Sequence, residues 1–176
     1  GDTILIRPHF LVEDLGSGFV DSTTITLYNS DGSKSTALYQ DNFLGTGWTG
    51  ASAEPIYPGE GFVLFTGGDF EIVNVGTVNT KPVLFSGSGG VVNIVNALSP
   101  STADATSLFS NLPGSSTISV YAGGSLSSPT VYTKAPDFLG GEWSPALSEI
   151  DFGSEIAVVV FPNSDTPIPI PAAYTN

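Results

Sequence analysis

Cysteine and methionine are both absent from this 176-residue chain, and basic side chains nearly so. Four Lys and Arg stand against 17 Asp and Glu, with a single histidine. Without cysteine there is no disulfide, no thiolate nucleophile and no cysteine-ligated metal. A formal charge of −13 leaves no basic patch to neutralise phosphates, which excludes nucleic acid as a partner. The same charge is repelled by an anionic membrane surface. No apolar run approaches the roughly 20 residues of a spanning helix. One histidine is too few for a histidine metal site. No Gly-x-Ser-x-Gly elbow accompanies it, so His9, between Pro8 and Phe10, is read as structural. No Asn-x-Ser/Thr sequon occurs.

What is present points to β-structure. Apolar residues make up 40% of the chain and charged ones 12%, which argues against intrinsic disorder. Glycine and proline punctuate the chain at short intervals. Between them lie runs rich in Val, Ile, Phe, Tyr and Thr, which suit a pleated surface: Thr3–Arg7, Thr24–Asn29, Phe62–Thr66, Phe70–Val75, Pro82–Phe85, Val91–Val95, Thr117–Ala122 and Ile156–Phe161. Thr24-Ile25-Thr26-Leu27-Tyr28 alternates, as a sheet with one wet face does. Ile156–Phe161 is continuously apolar, which predicts a strand covered on both faces. Asn29–Ser33 reads as a hairpin turn. Ser101–Gly114, with an N-cap candidate, an early Asp and a Pro-Gly stop, predicts one or two helical turns. A similar short turn is expected within His9–Gly16.

Three motifs recur in order. Thr24–Tyr28 resembles Thr117–Tyr121, Phe43-Leu44-Gly45-Thr46-Gly47-Trp48 resembles Phe138-Leu139-Gly140-Gly141-Glu142-Trp143, and Ile56–Leu64 resembles Ile150–Val158. The offsets are 93, 95 and 94 residues. Three matches in register indicate internal duplication. The expected fold is therefore all-β: two related β-sandwich-like halves with at most one or two short helices. The expected boundaries are 1–66 for the first β-repeat, 67–90 for a connecting β-hairpin insert, 91–161 for the second repeat and 162–176 for an extended Pro/Ile tail.

The run Tyr28…Gly47-Trp48…Ile56-Tyr57-Pro58-Gly59-Glu60-Gly61-Phe62-Val63-Leu64…Val75-Gly76-Thr77-Val78 resembles a paralogous family of uncharacterised secreted bacterial proteins. In that family a Gly-Trp loop and an Ile-x-Pro-Gly-x-Gly-Phe strand precede a second unit. The resemblance covers most of the chain and rests on structural glycines and aromatics. It implies secretion and a β-rich surface role, and no catalysis.

Carboxylates are the remaining stock for chemistry. A glycosidase needs two of them about 5–10 Å apart across a cleft. Nothing in the sequence sets apart a pair among Glu54, Glu60, Glu142, Glu149 and Glu155, and no enzyme activity is expected. Calcium takes clustered oxygen ligands. No cofactor is expected; Asp31, or Asp137, Glu142 and Asp151, could contribute oxygens to a structural calcium, but no Asp-x-Asp-x-Asp-Gly loop exists and no ligand set is singled out. Trp48 and Trp143 occupy equivalent positions after Gly-rich turns, where a core plug sits. The alternative is that they stack on the sugar rings of a polysaccharide, making the chain an extracellular carbohydrate- or surface-binding module.

Thr166-Pro167-Ile168-Pro169-Ile170-Pro171 places proline at every second position. As a strand it lacks donors along one edge and pairs on the other only. The start at Gly1-Asp2-Thr3 and the lysine-poor, Gly/Ser/Thr/Pro-rich composition predict a mature product whose leader has been removed, located outside the cell or on its surface. Together these features predict a secreted, self-assembling structural protein: the subunit of an extracellular filament, pilus-like fibre or surface layer. Its partners are copies of itself, with terminal strands adding to a neighbour and Ile4, Ile6, Ile168 and Ile170 as interface anchors.

Overall fold

The short β-branched runs pair into antiparallel sheets in a computed structural model that describes residues 10–43, 45–57, 60–68, 83–95, 104–122, 127–152 and 156–170. The chain divides into two units. The first comprises Gly1–Leu27, Lys34–Pro58 and Phe62–Gly76; the second comprises Tyr28–Ser33, Gly59–Gly61 and Thr77–Asn176. The predicted strands Thr3–Arg7 and Phe70–Val75 lie outside the described residues.

The first unit holds β1 (Phe10–Leu11), β2 (Thr24–Tyr28), β3 (Lys34–Asn42), β4 (Gly45–Gly50), β5 (Pro55–Ile56) and β6 (Val63–Phe65). Its main sheet has the order β4-β3-β2-β6, and β1 pairs with β5. The alternation expected of β2 is observed: Ile25 and Leu27 are buried and the threonines between them less so. They meet Val12, Leu15, Phe19, Ala37, Tyr39 and Ile56 in one core. Val12–Leu15 forms a single 3-10 turn inside the stretch where one is expected. Tyr39 is almost wholly buried, and its hydroxyl accepts the Gly18 N–H at 3.2 Å. A buried tyrosine needs such a partner for its polar end.

The second unit holds β7 (Val83–Gly87), β8 (Asn93–Val95), helix α1 (Ala105–Phe109), β9 (Thr117–Ala122), β10 (Thr130–Lys134), β11 (Trp143–Ser144), β12 (Ile156–Phe161) and β13 (Thr166–Ile170). Its five-stranded sheet runs β11-β10-β9-β12-β8. The first four strands repeat the order β4-β3-β2-β6, which is what duplication of one supersecondary unit produces. The pairing Tyr39↔Trp48 between β3 and β4 becomes Lys134↔Trp143 between β10 and β11. Two further 3-10 turns, Asp137–Leu139 and Leu147–Glu149, bring the described helical segments to one α-helix and three single turns.

The predicted helix is shorter than the stretch Ser101–Gly114, and its cap is the early Asp. Asp104 accepts the Thr106 N–H at 3.0 Å and the Ser107 hydroxyl at 2.9 Å, satisfying donors that a helix start leaves open. Ala105, Leu108 and Phe109 then face the core. This core also takes Ile118, Tyr132, Val158 and Val160 from the sheet and Phe85, Ile168 and Ile170 from β7 and β13. Continuous apolarity misleads for β12. It is central in its sheet, but Ala157 and Phe161 are exposed, so the expectation of cover on both faces is corrected.

The Pro/Ile segment is a strand of the second unit. β13 pairs with β7 in the register Thr166↔Gly87, Pro167↔Ser86, Ile168↔Phe85, Pro169↔Leu84, Ile170↔Val83. Proline has no N–H, so the proline pairs exchange no ladder bonds and Thr166, Ile168 and Ile170 face β7. Pairing on one edge only is the observed arrangement among the described strands. Side chains alternate with the same period, so the isoleucines enter the core that the prolines leave.

Three exposed aspartates fasten turns through backbone donors. Asp21 accepts from Asp41 N–H at 2.7 Å, Asp31 from Ser33 N–H at 2.8 Å, and Asp104 as above. Asp21 is held below the ordinary carboxylate value chiefly by the Asp41 N–H, and Asp31 and Asp104 chiefly by the hydroxyls of Ser33 and Ser107. A carboxyl whose folded pKa is depressed stabilises the fold above its unfolded value, here 3.8, and loses that contribution as pH falls through the folded value. Acid unfolding followed by circular dichroism is thus expected to begin below pH 3.8. Asp104→Asn is expected to reduce the dependence of stability on pH in that window. An unchanged acid profile would show that the cap carries no linkage.

Candidate functional site

The duplicated Phe-Leu-Gly…Trp motif builds the most exposed apolar features among the described residues. In the first unit Asn42 pairs with Gly45 across β3 and β4, which places Phe43 at the hairpin tip. Such tips favour Asn-Gly or Gly-x, because their backbone turns toward positive φ. Here Phe43 occupies the tip and is 95% exposed. Leu44 lies outside the described residues. The tip is braced from behind: Asp41 accepts the Thr46 hydroxyl at 2.8 Å, and the Asp41 N–H is the one fixed by Asp21.

In the second unit the motif closes as the 3-10 turn Asp137–Leu139, with Phe138 85% and Leu139 67% exposed. Its brace is also an aspartate. Asp137 accepts the Gly114 N–H at 3.1 Å and stands 4.0 Å from the Lys134 ammonium, which itself donates to the Leu112 carbonyl. Gly140 ends the turn at φ +101, a conformation that favours glycine. Single exposed apolar residues are ordinary on a protein surface. Two nearly bare phenylalanines at equivalent positions of a duplicated motif, each on a fastened turn, are not explained by packing.

The tryptophans that follow are drawn inward. Trp48 is half-buried, 4.9 Å from the Phe19 ring and 5.2 Å from the Tyr39 ring, both edge-on. Its Nε1–H donates to the Gly16 carbonyl at 3.2 Å. Trp143 is half-buried against the second core. Both rings pack against the core of their own unit, as a core plug does. An open hollow of about 190 Å³ nonetheless lies beside Trp48, lined by Gln40, Gly45, Thr46, Gly47, Trp48 and Thr49. Gly45 and Gly47 have φ of +146° and +149°, and a Cβ on either would meet open space. The Thr46 and Thr49 hydroxyls donate to Asp41 and to the Leu38 carbonyl. The Gln40 carboxamide, half-buried at the hollow, has no hydrogen-bond partner among the described residues.

The predicted interface anchors fare differently. Ile4 and Ile6 lie outside the described residues, as does His9. Ile168 and Ile170 are 1% and 0% exposed, packed in the core of their own unit. Their role as free anchors for another copy is corrected: the proline pattern that turns one edge outward turns the isoleucines inward. Asp31 and Asp137 spend their carboxylates on backbone donors. Among the described residues no three acidic or histidine side chains gather as a metal site. No helix among them is long and apolar enough to cross a membrane. Phe43, Phe138, Leu139 and Gln40 were not singled out by the sequence. The available signal was a Phe-Leu pair, twice, where turn chemistry asks for Gly or Asn.

No protein-family model, curated protein or solved structure matches the chain.

Proposed function

We propose that the chain is a secreted structural protein that associates with copies of itself, as the subunit of an extracellular filament, pilus-like fibre or surface layer. The observation that carries this reading is the pair of exposed tips, Phe43 in one unit and Phe138-Leu139 in the other. Covering a large apolar side chain is worth about 1.5–3 kcal/mol, so three of them form a useful nucleus for a contact. Two separate apolar tips on one subunit suit contacts between unlike surfaces, and such contacts generate open polymers when the rotation does not close. The contribution first ascribed to the isoleucines of the terminal strands passes to these tips.

Negative-stain electron microscopy and sedimentation velocity test the reading. The parent chain is expected to form regular fibres or sheets. The double variant Phe43→Ser, Phe138→Ser is expected to remain monomeric with stability within about 0.5 kcal/mol of the parent, as surface changes usually are. Discrete monomers of the parent, or assembly of the double variant equal to the parent's, would overturn it.

A further inference from the structure

The outer edge of β4 differs from its counterpart in the second unit, and the difference bears on how copies meet. Among the described residues β4 closes one side of its sheet. Ala51 N–H donates to the Thr36 carbonyl at 3.1 Å. Tyr39 donates to the Thr23 carbonyl and accepts from Ser22 N–H, so its backbone groups turn away from Trp48. Antiparallel pairs alternate. Gly45, Gly47 and Thr49 therefore bond to β3, and Thr46, Trp48 and Gly50 turn their backbone groups outward. Among the described residues no backbone group pairs with these three. An open strand edge of this kind is a template for another strand.

At the 95-residue offset β4 becomes Gly140-Gly141-Glu142-Trp143-Ser144-Pro145. The phase of the ladder is kept: Ala135 N–H donates to the Glu142 carbonyl at 2.8 Å and Lys134 N–H to the Ser116 carbonyl at 2.9 Å, so Trp143 again turns outward. This edge is nonetheless closed. Gly141, in place of Thr46, spends its N–H on the Pro136 carbonyl at 3.3 Å. Pro145, in place of Gly50, has no N–H to offer. Glu142, in place of Gly47, adds a charge, and the strand is cut to two residues. Proline, charge and brevity are the devices that keep sheet edges from pairing with other chains. One repeat carries all of them. The other carries none: β4 has six residues, without proline or charge.

We infer that β4 pairs edge to edge with β4 of a second copy, antiparallel, so that the two sheets run on as one. The inference rests on the self-association reading and deepens it: Phe43 stands at the end of the same hairpin, and the tip contact brings the edges together. A two-fold axis at Trp48 sets this residue opposite its own copy and Thr46 opposite Gly50 of the second copy. In that register every outward donor of the strand meets an acceptor. Charge argues for this occupant. Copies of a chain with net charge −13 repel, and they meet at least cost along a strand that carries no charge. Gly45 and Gly47 put no side chain in the way of a second backbone.

Hydrogen–deuterium exchange of the full chain, resolved by residue in dilute and in assembled protein, tests the contact and needs no variant. Assembly is expected to slow exchange at Thr46, Trp48 and Gly50 by about tenfold or more, while Gly47 and Thr49, already bonded to β3, change little. Thr46→Pro removes an outward donor that β3 does not use. It is expected to raise the concentration needed for assembly by about tenfold or more while melting close to the parent. The Phe43→Ser, Phe138→Ser variant is expected to stay monomeric with the same three amides open. Fibres or sheets in which Thr46, Trp48 and Gly50 exchange as fast as in the dilute chain would overturn the edge contact and leave the tip contact standing. A parent chain that stays monomeric would overturn both. Slow exchange of these amides in the dilute chain would mean that the chain covers its own edge, and would overturn the edge contact alone.

Discussion

Ile170→Ala is expected to destabilise the second unit by about 2–5 kcal/mol, the range for emptying a well-packed aliphatic site. The side chain is fully buried, with Phe85 and Ile168 in the same core. Its neighbour gives the contrast. Pro169 is half-buried on the other face, opposite Leu84, at a position that needs no N–H. Pro169→Ala is expected to cost about 0.4–1 kcal/mol, through the added freedom of the unfolded chain. Urea unfolding of the two variants measures the difference. Equal losses would mean that the register of β13 on β7 is wrong. Removing residues 166–176 to test assembly would confound the experiment, since the truncation also empties the core.

Gly89→Ala is expected to have the second large effect. A Cβ there would lie 2.4 Å from the Ser164 Cα, 2.5 Å from its carbonyl carbon and 2.7 Å from the Asp165 nitrogen. All three are backbone atoms, so no side chain can swing aside. The Asp165 carboxylate also accepts the Gly89 N–H at 2.8 Å, fixing the two segments together just before β13 begins. Overpacking of this kind costs about 1–3 kcal/mol. Gly67→Ala is the control: a Cβ there meets nothing within 4 Å, and the effect is expected to stay within about 0.5 kcal/mol. Thermal melts of both variants check this. A Gly89→Ala protein as stable as the parent would show that the segments separate freely.

Legibility followed local chemistry. β9 and β12 were readable to the residue because β-branched and aromatic side chains fill them. The all-β class and the duplication followed from the same runs. β4 was not readable as a strand: Gly45-Thr46-Gly47-Trp48-Thr49-Gly50 has three glycines, which weaken a strand interior. It is held by six register pairs with β3 and by the edge-on contacts of Trp48 with Phe19 and Tyr39. Phe19 lies well before the hairpin in sequence, where periodicity carries no information. The proline strand was half legible. Its one-sided pairing follows from the missing donors, but the direction of the isoleucines depends on a core that Phe85 and α1 help to build. For the candidate site, the repeated motif drew attention to the tryptophans. The informative residues were the phenylalanines before them.

The pairing of β13 with β7 also sets an order of events during synthesis. Ile168 meets Phe85 across more than 80 residues of chain, so the second core stays open until residue 170 has left the ribosome. The described part of the first unit ends at Gly68, about 100 residues earlier, which at about 5–20 residues per second is a lead of about 5–20 s. During that interval Phe85, Ile118 and Val160 wait for their cover as each emerges. A chain cut short before Thr166 leaves these side chains uncovered and is therefore an aggregation hazard and a protease substrate.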